Sequence, residues 1–216
     1  MVRRRVLGAL FCVALAGFGL AGCSGSKGTQ ESKEEPLGEK VVETTVGGCP
    51  ITLWENGTLE FTCSEMVIHS GGGLQYSSDD LRYRMEEIKR IKSGPIKVSG
   101  TLREFFKSAH NLSDISDLKN WDVSDVTSMD SMLGYTSISN VDALANWDTS
   151  KVENMREMFA DTKITSVDAL ANWDTSNVEV MFWMFSGTGV KSPDDLPKKW
   201  DLSNLDHSTE QMFSDE

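Results

Sequence analysis

Trp121, Trp147 and Trp173 stand 26 residues apart, and Trp200 follows 27 later. Each is followed by Asp122, Asp148, Asp174 or Asp201, and two positions further on by a serine. A fixed period in the twenties marks a solenoid: one such unit cannot bury its own apolar side and must stack on its neighbours. In the cleanest copy, 147–172, Ser150 and Glu153 have the spacing of a capping box, and Val152, Met155, Met158 and Phe159 fall on one helical face. This predicts a short helix ending near Ala160 and Asp161. Ile164, Val167, Leu170 and Trp173 then recur every third residue, which suits a short extended segment turning a solenoid corner. Met132, Met158 and Met184 share one position; Leu144, Leu170 and Leu196 share another. Residues 102–120 read as a degenerate first unit. At the far end the chain stops three residues after Phe213, so either the last helix with Ser214, Asp215 and Glu216 caps the stack or a partner covers it.

The start of the chain indicates where it works. Arg3, Arg4 and Arg5 precede an apolar run from Val6 to Leu20, too short for a comfortable membrane span and suited to a signal peptide. The run ends Leu20, Ala21, Gly22, Cys23, which resembles the lipobox of bacterial lipoproteins. The resemblance implies cleavage before Cys23 and attachment of diacylglycerol to its thiol, a palmitate-type anchor to the extracytoplasmic face of the membrane. Residues 24–40 are polar and offer almost nothing to bury, so they are expected to form a disordered tether of roughly 20–25 Å. Loss of the leader removes three of the 21 basic residues and none of the 33 acidic ones, leaving a net charge of −15. That balance argues against a nucleic-acid partner, which needs a basic stripe.

Of four cysteines, Cys12 leaves with the leader and Cys23 takes lipid, so Cys49 and Cys63 remain. They flank two alternating stretches, 51–54 and 58–61, joined through Asn56 and Gly57, a strong hairpin signal. Folding there sets the two thiols opposite each other, and outside the cytoplasm they are expected to form a disulfide. Two buried thiols or half a metal site are the alternatives, although no CxxC spacing is present. Ser78 before Asp79 and Asp80, with Leu81, Met85 and Ile88, reads as a short helix; Ile91, Ile96 and Val98 read as strand pieces.

The Met and Trp positions are read as core rather than as a cofactor box. The aspartates after each Trp are read as shaping the turn that follows. A divalent-cation ladder, with Asp142, Asp168 and Asp194 as a second one, is the sharper alternative. His69, His110 and His207 sit in no catalytic pattern, and Gly71, Gly72 and Gly73 lack the lysine of a phosphate loop. No cofactor, metal or catalysis is expected.

The units Asn-Trp-Asp-Thr/Val-Ser, Val-x-x-Met-x-x-Met-Phe and Ile-x-x-Val-Asp-x-Leu resemble the BspA-type leucine-rich-repeat surface proteins of bacteria over 101–216. The resemblance implies an α/β fold: a short right-handed leucine-rich-repeat solenoid with a helix and a short strand per repeat. The organisation expected is leader 1–22, lipidated tether 23–40, hairpin-bearing lead-in 41–100 and solenoid 101–216. The function expected is a membrane-anchored, monomeric surface module that presents a repeat face to a protein or glycan. Its exposed, variable positions would include Lys151, Arg156, Glu157, Lys163, Asn177 and Glu179. A structural or assembly lipoprotein of the envelope is the alternative, followed by a lipoprotein enzyme or solute-binding subunit.

Overall fold

The computed structural model describes residues 35–69, 73–206 and 208–214. The expected signal peptide, the expected lipidation site Cys23, the expected tether up to residue 34, Gly71, Gly72, His207, Asp215 and Glu216 lie outside the described residues. Residues 35–216 form a single compact unit.

The unit opens with the hairpin. β1 (Lys40–Val46) pairs antiparallel with β2 (Cys49–Trp54), and β2 with β3 (Thr58–Phe61), Ile51 facing Phe61 and Leu53 facing Leu59. Gly57 makes the predicted turn at φ 86°, a conformation that favours glycine, and a Cβ there would meet the Glu87 carbonyl oxygen at 2.6 Å. Cys49 and Cys63 are joined in a disulfide, Cα atoms 5.3 Å apart. The chain is ordered before the point assigned to the tether's end: Glu55 and Asn56 donate backbone N–H groups to Glu39 and Leu37.

From β3 onward the pairing becomes parallel, and stacking begins. β3 pairs with β5 (Arg90–Ser93), which is bridged to Asp114. β4 (Glu65–Ile68), β6 (Ile96–Thr101) and β7 (Trp121–Ser128) make a second parallel sheet. Single parallel bridges then carry that sheet on, from Ser128 to Asn154 and from Asn154 to Val180. The lead-in thus supplies the first layers of the stack. Phe61 of the hairpin packs with Phe105, Phe106 and Trp121, centroids 5.3–6.4 Å apart, making one core of the two parts. The predicted helix is α1 (Asp79–Arg82), its Leu81 N–H donating to the Ser78 hydroxyl at 3.1 Å.

The helix expected in each repeat is absent, and this is the main correction to the sequence reading. Residues 150–161 are turns and irregular chain with a bridge at Asn154; among the described residues the helical pieces of the repeats are short 3-10 segments, such as Asp142–Leu144 and Asp168–Leu170. Where a helix would send each N–H four residues back, Met129, Ser131, Leu133 and Tyr135 send theirs to the carbonyls of Asn154, Arg156, Met158 and Ala160 in the next coil. The N–H groups between close tight turns, Met132 to Met129 and Gly134 to Ser131. This ribbon requires two left-handed residues per coil: Glu104 and Ser108, Ser131 and Tyr135, Glu157 and Asp161, then Trp183 and Gly187, all with φ of 50–68°. Two such non-glycine residues cost ~2–4 kcal/mol. Four ladder bonds return ~2–6 kcal/mol net, and leaving them unmade in a buried layer would cost more. Stacking therefore wins over local helix. The apolar spacing of three, three and one fits this ribbon as well as a helix face: Val152, Met155, Met158 and Phe159 are all buried.

Candidate binding surface

The four indoles form one column. Trp121, Trp147, Trp173 and Trp200 are all buried, and the rings of Trp173 and Trp200 lie 6.3 Å apart and nearly parallel. Each of the last three donates its Nε1–H one coil back, to Leu118, Leu144 and Leu170 carbonyls at 2.9–3.0 Å. Trp121, whose preceding layer is the lead-in rather than a tryptophan coil, uses the Ser93 hydroxyl at 2.9 Å.

The aspartates after them bend the chain. Asp122, Asp148, Asp174 and Asp201 each accept the N–H of the serine two residues on at 3.0 Å. These are Asx turns, each carboxylate committed to its own coil. The serine hydroxyl and backbone N–H hold the carboxyls of Asp122, Asp174 and Asp201 below the usual range. Ser150 and Glu153 make no capping box, since Ser150 serves Asp148 and Glu153 donates its N–H to Thr127.

Two threonine columns carry hydrogen bonds that hydrophobic periodicity does not reveal. Thr149 and Thr175 donate to the Asp174 and Asp201 carbonyls of the following coil at 2.8 Å. Thr136, Thr162 and Thr188 close turns on Leu133, Phe159 and Phe185 at 2.7–2.8 Å. Recurrence at 26 residues was the available signal for both.

The interior is thus filled alike in every coil, and the outside differs. Lys151, Asn177 and Glu179 are exposed and line one shallow cleft of about 380 Å³ with Thr127, Ser150 and Glu153. At its edge Asp125 lies between Lys151 and, at 2.8 Å, Lys97 from the preceding coil. These two ammonium groups, Lys151 first, hold the Asp125 carboxyl near a pKa of about 2. Lys163 is exposed elsewhere, its Nζ donating to Ser137 at 3.0 Å.

Arg156 and Glu157 sit on the ribbon. Glu157 is a correction: expected outside, it is only 4% exposed. Its left-handed backbone turns the carboxylate toward Lys107 at 3.3 Å, Ser131 at 3.3 Å and Arg156 at 2.7 Å. The Arg156 guanidinium lies 4.7 Å over the half-buried Trp183 ring, and the Lys107 ammonium 5.6 Å from the Tyr135 ring. This row of charge and aromatic rings crosses four coils, and a Glu157 on an exposed helix face would not form it. His69 and His110 are exposed, His110 bonded to the Tyr135 carbonyl at 2.9 Å.

A protein family described as "Mycoplasma protein of unknown function, DUF285" matches residues 100–216, more than half of the chain and all of its tryptophan repeats. The chain belongs to this family. A solved leucine-rich repeat protein from Eubacterium ventriosum is similar at 13% identity with a TM-score of 0.46. The match covers 71% of this chain and only 37% of that protein's length. Among curated proteins none matches. The description of DUF285 proteins names no activity, so the function of this member is argued from its surface.

Proposed function

We propose that this chain is a membrane-anchored, non-catalytic binding module of the bacterial cell surface. Its stacked repeats present an exposed face to a protein or glycan. The anchor reading rests on the leader and Cys23 in the sequence. The observation that carries the binding reading is the contrast between buried columns that keep like residues from coil to coil and an outer repeat position that is Asp125, Lys151 and Asn177 in successive coils, the last two lining the cleft. A scaffold that fixes its inside and varies its outside can change partner without changing fold.

The test is capture by the immobilised full chain from surface and matrix proteins and from a glycan library. A double variant, Lys151→Glu with Glu179→Lys, serves as the comparison. The expected result is a specific ligand whose capture falls at least about tenfold in the variant while the variant stays folded, melting only slightly lower because Lys151 pairs with Asp125. Capture indifferent to these changes would move the binding face elsewhere. No capture, together with collapse of an envelope complex on deletion of the gene, would favour the assembly reading.

A further inference from the structure

The first turn of the stack is longer than those that follow. Glu65 pairs with Lys97, 32 residues on, whereas Lys97 pairs with Asp122 after 25 and Ser128 with Asn154 after 26. The surplus forms an excursion that includes Leu74–Tyr76, α1 and Met85–Glu87. Leu74, Leu81, Met85 and Ile88 are buried and fasten it to the core. Tyr83 is not: it is 82% exposed, and no layer of the stack uses it. Among the described residues the exposed large hydrophobic side chains are Val67, Tyr76 and Tyr83, all at this end of the molecule and none in the tryptophan repeats. Arg82 and Arg84 flank Tyr83, Arg84 pairing with Glu87 at 2.8 Å.

The chain enters the fold beside this excursion. Glu35 meets Arg90 at 3.3 Å, and the Pro36 carbonyl accepts from Asn56 at 3.3 Å. The neighbouring Gly57 carbonyl accepts from the Lys89 N–H at 2.8 Å. Eleven residues separate Cys23 from Glu35, a reach of at most ~40 Å whatever their conformation. Charge distinguishes this end as well. Residues 73–92 carry five basic and four acidic side chains, while 101–206 carry nine and eighteen. An anionic bilayer repels the acidic repeats but not the excursion, whose net charge is slightly positive.

We infer that Tyr83, with Arg82 and Arg84, is a foot that rests in the headgroup layer of the anchoring membrane and sets the orientation of the repeat stack. A tyrosine ring is at home where one end is apolar and the other wet, and arginine stems lie along such an interface with their heads in water. The foot alone is too small to hold a protein to a bilayer, so it acts only with a lipid anchor and rests on that part of the proposed function.

The test uses the full chain purified from membranes and reconstituted in phosphatidylcholine vesicles containing phosphatidylglycerol and a nitroxide-headgroup lipid. An environment-sensitive dye is placed at Glu86→Cys in the excursion, or at Lys151→Cys or Ser203→Cys in the repeats. Quenching several-fold stronger at position 86 than at 151 or 203 is expected. Tyr83→Asp should remove that difference without altering co-flotation with the vesicles or the melting temperature. Equal quenching at the three positions in a chain that floats, or a difference that survives Tyr83→Asp, overturns the foot and leaves the anchor standing. A chain that does not float overturns both.

Discussion

At the scale of single residues, the tryptophan column is held by donors as much as by apolar area. Trp173→Phe keeps most of the buried ring but leaves the Leu144 carbonyl without its 2.9 Å partner. It should lower unfolding free energy by about 1–3 kcal/mol in urea titration, and Trp173→Ala by about 3–5 kcal/mol. The left-handed positions give a second test. Gly187 has φ 68°, and a Cβ there would lie 2.2 Å from the Asp161 carboxylate. Gly187→Ala should cost at least about 1–2 kcal/mol, and Asp161→Gly in the same chain should restore part of it, a coupling read by a double-mutant cycle. Legibility ends at this scale for Glu157. Its residue type and repeat position both fit an exposed helix face, and only the backbone conformation, which the sequence does not mark with glycine there, turns it inward. The aspartates after each tryptophan were readable as turn formers because an Asx turn needs nothing beyond its own next two residues.

Among elements, the hairpin was legible because Asn56 and Gly57 decide its register locally, and the disulfide followed from that register. The repeat helix was misread because what replaces it is non-local: its hydrogen bonds leave the segment for a coil about 25 residues away, and no local propensity reports them. Coils also meet through charge. Asp125 accepts from Lys151 and Lys97 in the two neighbouring layers, and its carboxyl titrates lower in the folded chain, near 2, than in the unfolded one, near about 3.9. A depressed folded value gives stability that is present above the unfolded pKa and is lost as pH falls through the folded one. Asp125→Asn should therefore melt slightly below the parent chain at neutral pH, with the gap closing between about pH 4 and pH 2. Raising salt at neutral pH should narrow it as well, because the triad is partly exposed.

For the whole molecule, hairpin and repeats share one core through Phe61, Phe105, Phe106 and Trp121. Losing the Cys49–Cys63 link, which spans 14 residues, should thus be felt throughout. Cys49→Ser with Cys63→Ser is expected to reduce stability by about 3 kcal/mol. Tryptophan fluorescence, with Trp54 in the hairpin and the other five tryptophans in the repeats, should show a single transition at lower urea rather than a separate early phase for the hairpin. The period of 26 announced the stack from sequence, but its starting point was hidden. β3, β4, β5 and β6 carry no tryptophan signature, yet they are its first layers.

In the turn ribbon, Met129, Ser131, Leu133 and Tyr135 donate to the coil after them, and Met155, Glu157, Phe159 and Asp161 do the same one coil later. Each coil therefore receives from one side what it hands on to the other. A cassette copied in frame from 147–172 and spliced after itself would find its acceptors above and its donors below already in place. Lengthening such a molecule requires no invention, only a duplicated stretch of gene, and members of differing reach are one recombination event apart.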